Sequence, residues 1–210
     1  MEDQDFYSDD HYPRAGRRTH WYRHLLTRPR FRQIRKAARV RPRMRILDVG
    51  CGEGTLVRLL ESDGPLVYGV DINADAVRTA HHPRITQASA VELPFADASF
   101  DLCVGSHVIE HMEFPKEFLS ELARVVRRNG RIVLIYPWEP IQGMTIVPDV
   151  LFSGRWPRRS LLQRIHRHRV NPARLRKFTR GTGLRHEHSR VFLGLPHLSF
   201  QYLSVLAKAR

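Results

Sequence analysis

Residues 46 to 54 read Ile46-Leu47-Asp48-Val49-Gly50-Cys51-Gly52-Glu53-Gly54, an apolar run that enters an acid and then three alternating glycines. Such a run commits the chain to a buried parallel strand whose carboxyl end carries bare backbone. With no side chains at Gly50, Gly52 and Gly54, the loop can take positive φ and let a ligand touch the peptide groups. The spacing is G-x-G-x-G, whereas the dinucleotide fingerprint is G-x-G-x-x-G. Asp48 fixes a negative charge beside the turn, which opposes a pyrophosphate and favours a cationic ligand. A nicotinamide-dinucleotide reading fails on both counts.

The rest of the chain alternates in the same style. Strands are expected at 43–49, 66–71, 84–88, 100–105 and 131–136. Helices are expected at 27–40, 55–61, 73–80 and 114–126, the last with Phe118, Leu119, Leu122 and Val125 at helical intervals. Asn73 suits an N-cap, and Asn129-Gly130 suits a C-cap and turn. Alternating strands and helices imply a Rossmann-like, doubly wound, mostly parallel α/β sheet, with its ligand beyond the strand carboxyl ends. Four prolines between 137 and 157 exclude one long regular element there. Short helices are expected at 160–168 and 172–182. Runs at 185–193 and 200–207 suit an antiparallel hairpin that completes the sheet.

Composition sharpens this through charge placement. Of the 35 Lys and Arg residues, 13 fall between Arg14 and Arg45 and 11 between Val150 and His186, with no acid in either block. The remaining 11 share the rest of the chain with all 21 acids. The nucleotide-binding part is thus acidic and its flanks are basic, a pattern of solvated or interacting surface. The two cysteines argue against a disulfide scaffold. With no spanning apolar run and no secretory leader, the expected location is cytoplasmic.

Asp71 ends the second strand, where an acid can accept both hydroxyls of a ribose. Next come Ser89-Ala90-Val91-Glu92-Leu93-Pro94-Phe95, the strand from Phe100, and Ser106-His107-Val108-Ile109-Glu110-His111. Taken in order with the glycine loop, these segments resemble the class I S-adenosylmethionine-dependent methyltransferases, type 11 domain family. The resemblance is dense from about Met44 to Pro137 and thin elsewhere. It implies a seven-stranded sheet with a final antiparallel strand, S-adenosylmethionine as cofactor, and methyl transfer as the reaction. By position, Asp48 with Gly50, Cys51 and Gly52 would hold the methionine part. Asp71 and Ile72 would meet the ribose, and Ser89, Ala90 and Val91 the adenine. Ser106 and His107 would floor the sulfonium site. Ser89 departs from the family's common Asp there, so its hydroxyl would accept without charge assistance. His107 and His111 follow the fourth strand at the ligand-facing end and are candidate bases. Glu110 and His111 could equally cap the loop, and two ligands are too few to assign a metal.

The expected layout is a basic N-terminal extension with a helix at 1–43 and a methyltransferase domain at 44–210 that includes a substrate lid at 137–171. The segment Ile141 to Trp156 is apolar and is followed by basic residues. That suits a small or lipid-linked acceptor, with an anionic membrane as a peripheral contact. Nucleic acid is the rival partner for the basic flanks, although neither a known RNA-binding module nor a base-methylating Asn-Pro-Pro-Tyr motif is present. A catalytically silent cofactor-binding protein is the remaining alternative. The sequence leaves the acceptor atom and the oligomeric state open.

Overall fold

A computed structural model describes residues 20–139, 167–194 and 199–209. The elements run α1 (His20–Ala38), β1 (Arg45–Val49), α2 (Thr55–Glu61), β2 (Leu66–Asp71), α3 (Ala74–Ala80), β3 (Ile85–Gln87), β4 (Phe100–Ser106), α4 (Pro115–Val125), β5 (Val126–Pro137), α5 (Pro172–Phe178), β6 (Leu184–Gly194) and β7 (Ser199–Lys208). One seven-stranded sheet has the order β3-β2-β1-β4-β5-β7-β6. Strands β1 to β5 pair in parallel, and β7 is antiparallel to both β5 and β6. The expected hairpin is therefore present, with its second strand lying between β5 and β6.

Side-chain alternation along the strands divides the core into two layers. Leu47, Val49, Leu134, Tyr136 and Leu206 face α4 and α5, packing with Phe118, Leu119, Leu122 and Leu175. Ile46, Val67, Val104, Val133 and Val205 face the other way, against Ile34 and Ala38 of α1 and Leu56, Val57 and Leu60 of α2. Burying one such side chain is worth about 1.5–3 kcal/mol. Helix α1 is thus part of the sheet's covering layer.

Several expected boundaries move, for local reasons. Helix α1 starts at His20 rather than Thr27 and ends at Ala38. Asn129-Gly130 is not a C-cap and turn: α4 ends at Val125, and β5 begins at once from an extended Val126 (φ −76°, ψ 137°). The β4–β5 register jumps there, Phe100 facing Val126 and Leu102 facing Arg131, so residues 127–130 bulge from the ladder. Gly130 is needed for close approach, since a Cβ there would lie 2.8 Å from the Asp101 carbonyl oxygen. Helix α5 stops at Phe178, four residues short of the expected 182. Thr179 to Thr182 form turns instead, with Gly181 and Gly183 at positive φ. Asn73 caps α3 as expected, accepting from the amides of Asp75 and Ala76. The expected helix at 160–168 falls almost wholly, and the expected lid mostly, outside the described residues.

Candidate functional site

The loop after β1 has the backbone that its glycines foretell. Gly50, Gly52 and Gly54 have φ of 71°, 53° and 75°, the left-handed region where a Cβ is disfavoured. Each glycine meets something different. A Cβ at Gly50 would lie 2.3 Å from Val108 Cγ2, and one at Gly54 would lie 2.3 Å from Ile85 Cδ1. At Gly52 a Cβ would have nothing within 4 Å. Two glycines therefore admit neighbouring side chains, and the middle one faces open space. The amides of Gly50 and Cys51 donate to the Val70 carbonyl at 2.8 and 3.0 Å, tying the loop to β2.

Asp71, at the end of β2, completes the frame. Its Oδ2 accepts from the Gly52 amide at 2.7 Å and its Oδ1 from the Asn73 amide at 2.9 Å. Each oxygen keeps a lone pair for a ligand hydroxyl. Asp48 is buried in β1, and its carboxyl is held well above the ordinary range, first by burial and then by the charge of Asp71. The Cys51 thiol is also pushed up, mainly by burial and further by both acids. A cation placed here would relieve Asp48 directly.

Beyond β3, Ser89, Ala90 and Val91 form a short turn in which the Ser89 carbonyl accepts from the Glu92 amide at 3.2 Å. Ser89 and Ala90 are half-buried and Val91 is exposed. The Leu93-Pro94-Phe95 stretch after it is clamped by α4. Arg124 donates to the carbonyls of Leu93 and Phe95, and Glu121 accepts from the Leu93 amide at 2.9 Å. Sequence reading missed this clamp; its only trace is an acid and a base three residues apart on an amphipathic helix.

Ser106 ends β4, and His107 follows at φ 59°, a left-handed conformation for a residue with a Cβ. Its amide donates to the Ile135 carbonyl at 2.8 Å. Val108, next in line, is the side chain that fills the gap at Gly50, so this loop rests on the glycine loop. Nδ1 of His107 lies 3.1 Å from Oε1 of the wholly buried Glu110. The imidazole is held below its ordinary range, mainly by burial and then by Arg30, with Glu110 pulling the other way. His111 is half-buried and adds a smaller electrostatic effect on His107. Ile72 is half-buried beside Asp71, its carbonyl accepting from Gln87.

The structure thus sets the sequence-expected residues along one edge of the sheet, from the Ser89 turn through Asp71 and the glycine loop to His107. It also adds Arg30 of α1, whose Nε donates to Gln201 Oε1 at 3.2 Å. Burial brings the Arg30 guanidinium down to about 10, partly offset by Glu110. Among the described residues, no group of three or more metal-ligating side chains comes together, and no helix is long and apolar enough to cross a membrane.

The family model of the methyltransferase domain matches residues 47–134, the stretch that carries the glycine loop, Asp71 and His107. Over that stretch the chain is similar to the type 11 methyltransferase domain family. A probable S-adenosylmethionine-dependent methyltransferase of Mycobacterium tuberculosis is 38% identical over 96 residues, 44% of this chain and 35% of that one. This chain spans about a third of the length of the curated relatives it matches. Among solved structures, a Bacillus protein, YcgJ, superposes with a TM-score of 0.67 at 16% identity, covering 87% of this chain and 99% of that one. Magnesium protoporphyrin IX methyltransferase from Synechocystis, solved with bound S-adenosylhomocysteine (SAH), gives 0.63 at 18% identity, covering 89% and 84%. These likenesses show the methyltransferase fold.

Proposed function

We propose that the chain transfers a methyl group from S-adenosylmethionine to a small or lipid-linked acceptor. The observation that carries this reading is the open space over Gly52, framed by left-handed backbone, the half-buried Asp71 and the buried Asp48. Bound there, the cofactor would supply an already activated sulfonium methyl. The chain's own residues would then mainly bind, orient and exclude water, and good positioning is worth roughly 7–11 kcal/mol of a barrier. Asp71 would hold the ribose hydroxyls, with Ile72 beside it. Ser89, Ala90 and Val91 would border the adenine. Asp48 and the amides of the 50–52 loop would serve the methionine part, and Ser106 and His107 would floor the reacting end.

An exposed patch at the same end of the sheet supports a lipid-like acceptor. Val191, Leu193 and Phe200 are each about half exposed, 49%, 50% and 50%, where β6 and β7 approach their connection. They lie beside the carboxyl end of β5, since Gln201 pairs with Pro137 and the Trp138 amide donates to Phe200. The α5 helix, with Arg174, Arg176 and Lys177 exposed on it and Arg180 exposed in the turn that follows, packs on the same face of the sheet. Apolar side chains near exposed bases suit an anionic lipid surface, where each base is worth about 1 kcal/mol. Nucleic acid would use the bases but leave the apolar side chains without a role.

The test sets co-sedimentation with anionic and zwitterionic vesicles beside an RNA gel shift at physiological salt. The reading expects retention on anionic vesicles only, weakened several-fold by Leu193→Asp. An RNA shift without vesicle retention would move the assignment to nucleic acid.

A further inference from the structure

Two side chains of one loop pair where β4 ends, within electrostatic reach of a third from α1. His107 sits in its left-handed conformation with Nδ1 3.1 Å from Glu110 Oε1. Glu110 has no solvent exposure, and the backbone around it is pinned, its carbonyl accepting from the His168 amide at 3.0 Å. Arg30 reaches across from α1 into the field of Glu110 and is steadied by Gln201 of β7. On the far side of the imidazole ring, Nε2 is buried with no hydrogen-bond partner. Holding a non-glycine residue in this conformation costs roughly 1–3 kcal/mol, so the surrounding structure must fix it firmly.

We infer that Glu110 is a positioning residue for His107, with Arg30 as its counter-charge, and that the arrangement makes Nε2 of His107 the base for the acceptor. This deepens the methyl-transfer reading and rests on it. The chemistry follows from the ring. A carboxylate at Nδ1 retains the proton there and leaves a lone pair on Nε2. In the reaction, the acceptor's O–H or N–H proton passes to Nε2 and its freed electron pair forms the bond to the methyl carbon. The electrons of the broken carbon–sulfur bond stay on sulfur. The imidazolium that results is balanced by Glu110. Arg30 makes a buried Glu110 charge tolerable, because such a charge needs a nearby partner. The groups acting on His107 are Arg30 from α1 and Glu110 and His111 from its own loop; burial and Arg30 favour the neutral ring, which a base requires.

One part of the test needs no acceptor. Nitrogen-15 NMR of the His107 ring in the full chain at pH 7.5 should show Nδ1 protonated and Nε2 bare. Glu110→Gln should shift the ring toward the Nε2–H form with the far-ultraviolet spectrum unchanged, because an amide can donate to Nδ1. Arg30→Lys should leave the tautomer as in the wild type, which covers the case of Glu110→Gln failing to fold. A wild-type ring protonated at Nε2 would overturn the inference. So would an unaltered tautomer in a folded Glu110→Gln protein. With an acceptor in hand, Glu110→Gln should lower kcat by about 100-fold or more while the acceptor KM changes little. Calorimetric titration of S-adenosylmethionine runs in parallel: loss of donor binding in the wild type defeats the methyl-transfer reading, whereas the tautomer result concerns Glu110 alone.

Discussion

The two halves of the sheet edge are built in different ways. On the β3-β2-β1 side, backbone shapes the site: three left-handed glycines, two amides received by Asp71, and a turn at Ser89, all within some forty residues of chain. On the β4-β5-β7 side, side chains shape it, and they come from far apart. Arg30 and Gln201 are separated by 171 positions, and the His107–Glu110 pair lies between them. The first half can be specified by a short run of sequence and suits a ligand common to many proteins. The second depends on how α1 and the last two strands dock.

The comparison breaks most visibly at Gly52. Gly52→Val should fold, because its Cβ meets nothing, at a conformational cost of about 1–2 kcal/mol. It should also weaken donor binding by about 100-fold, ~2.7 kcal/mol, by filling the ligand's space. Gly50→Ala sharpens the contrast, since its Cβ would strike Val108. It should lose about 1–3 kcal/mol of stability beyond the backbone cost, read as a lower melting temperature. Normal donor affinity in a folded Gly52→Val protein would remove the glycine loop from the site.

A smaller loss is expected at Asp71. Asp71→Ala should weaken donor binding by more than about 1 kcal/mol, because it deletes the proposed ribose acceptors and leaves the Gly52 and Asn73 amides without their partner. Titration calorimetry reads this directly, and unchanged affinity would take Asp71 off the list.

Asp48 should act on stability and binding in opposite directions. Its carboxyl is raised in the folded protein, so the folded state holds the proton where the unfolded state has lost it. Stability of the ligand-free protein should therefore fall as pH rises from about 4 through the raised value. Asp48→Asn should remove that decline and lift the melting temperature at pH 7, by about 2–4 °C per kcal/mol for a chain of this size. A cationic donor prefers the ionised form, so wild-type affinity should rise with pH over the same window and the variant should be flat.

The smallest effect belongs to the other half. His107 is held below its ordinary range, so the unfolded state takes up a proton first as the solution is acidified. Stability should drop as pH falls below about 6.5 toward the lowered value. Denaturant titrations at pH 7.5 and 5.5 should show a smaller difference for His107→Asn than for the wild type.

What the sequence revealed follows the same division. The strand positions, the glycine loop, the place of Asp71 at the end of β2 and the Asn73 cap were legible because each is written in contiguous residues with a fixed period or turn chemistry. The β5 start was misread because Asn129-Gly130 looks like a cap, while the register jump that makes it a bulge depends on the pairing with β4. Arg30 could not be singled out among the 13 bases of its block. Only the docking of α1 on the sheet brings it to Glu110. Gln201 carries no signal of its own in an alternating strand.

The most direct measurement is titration of the purified chain with S-adenosylmethionine by calorimetry, with a nicotinamide dinucleotide as the control ligand. Saturable one-to-one heat with the first and none with the second is the expected result, with the signal weakened in Asp71→Ala. No heat and no thermal shift with S-adenosylmethionine in a well-folded sample would contradict the placement of a cationic nucleoside at the end of β1.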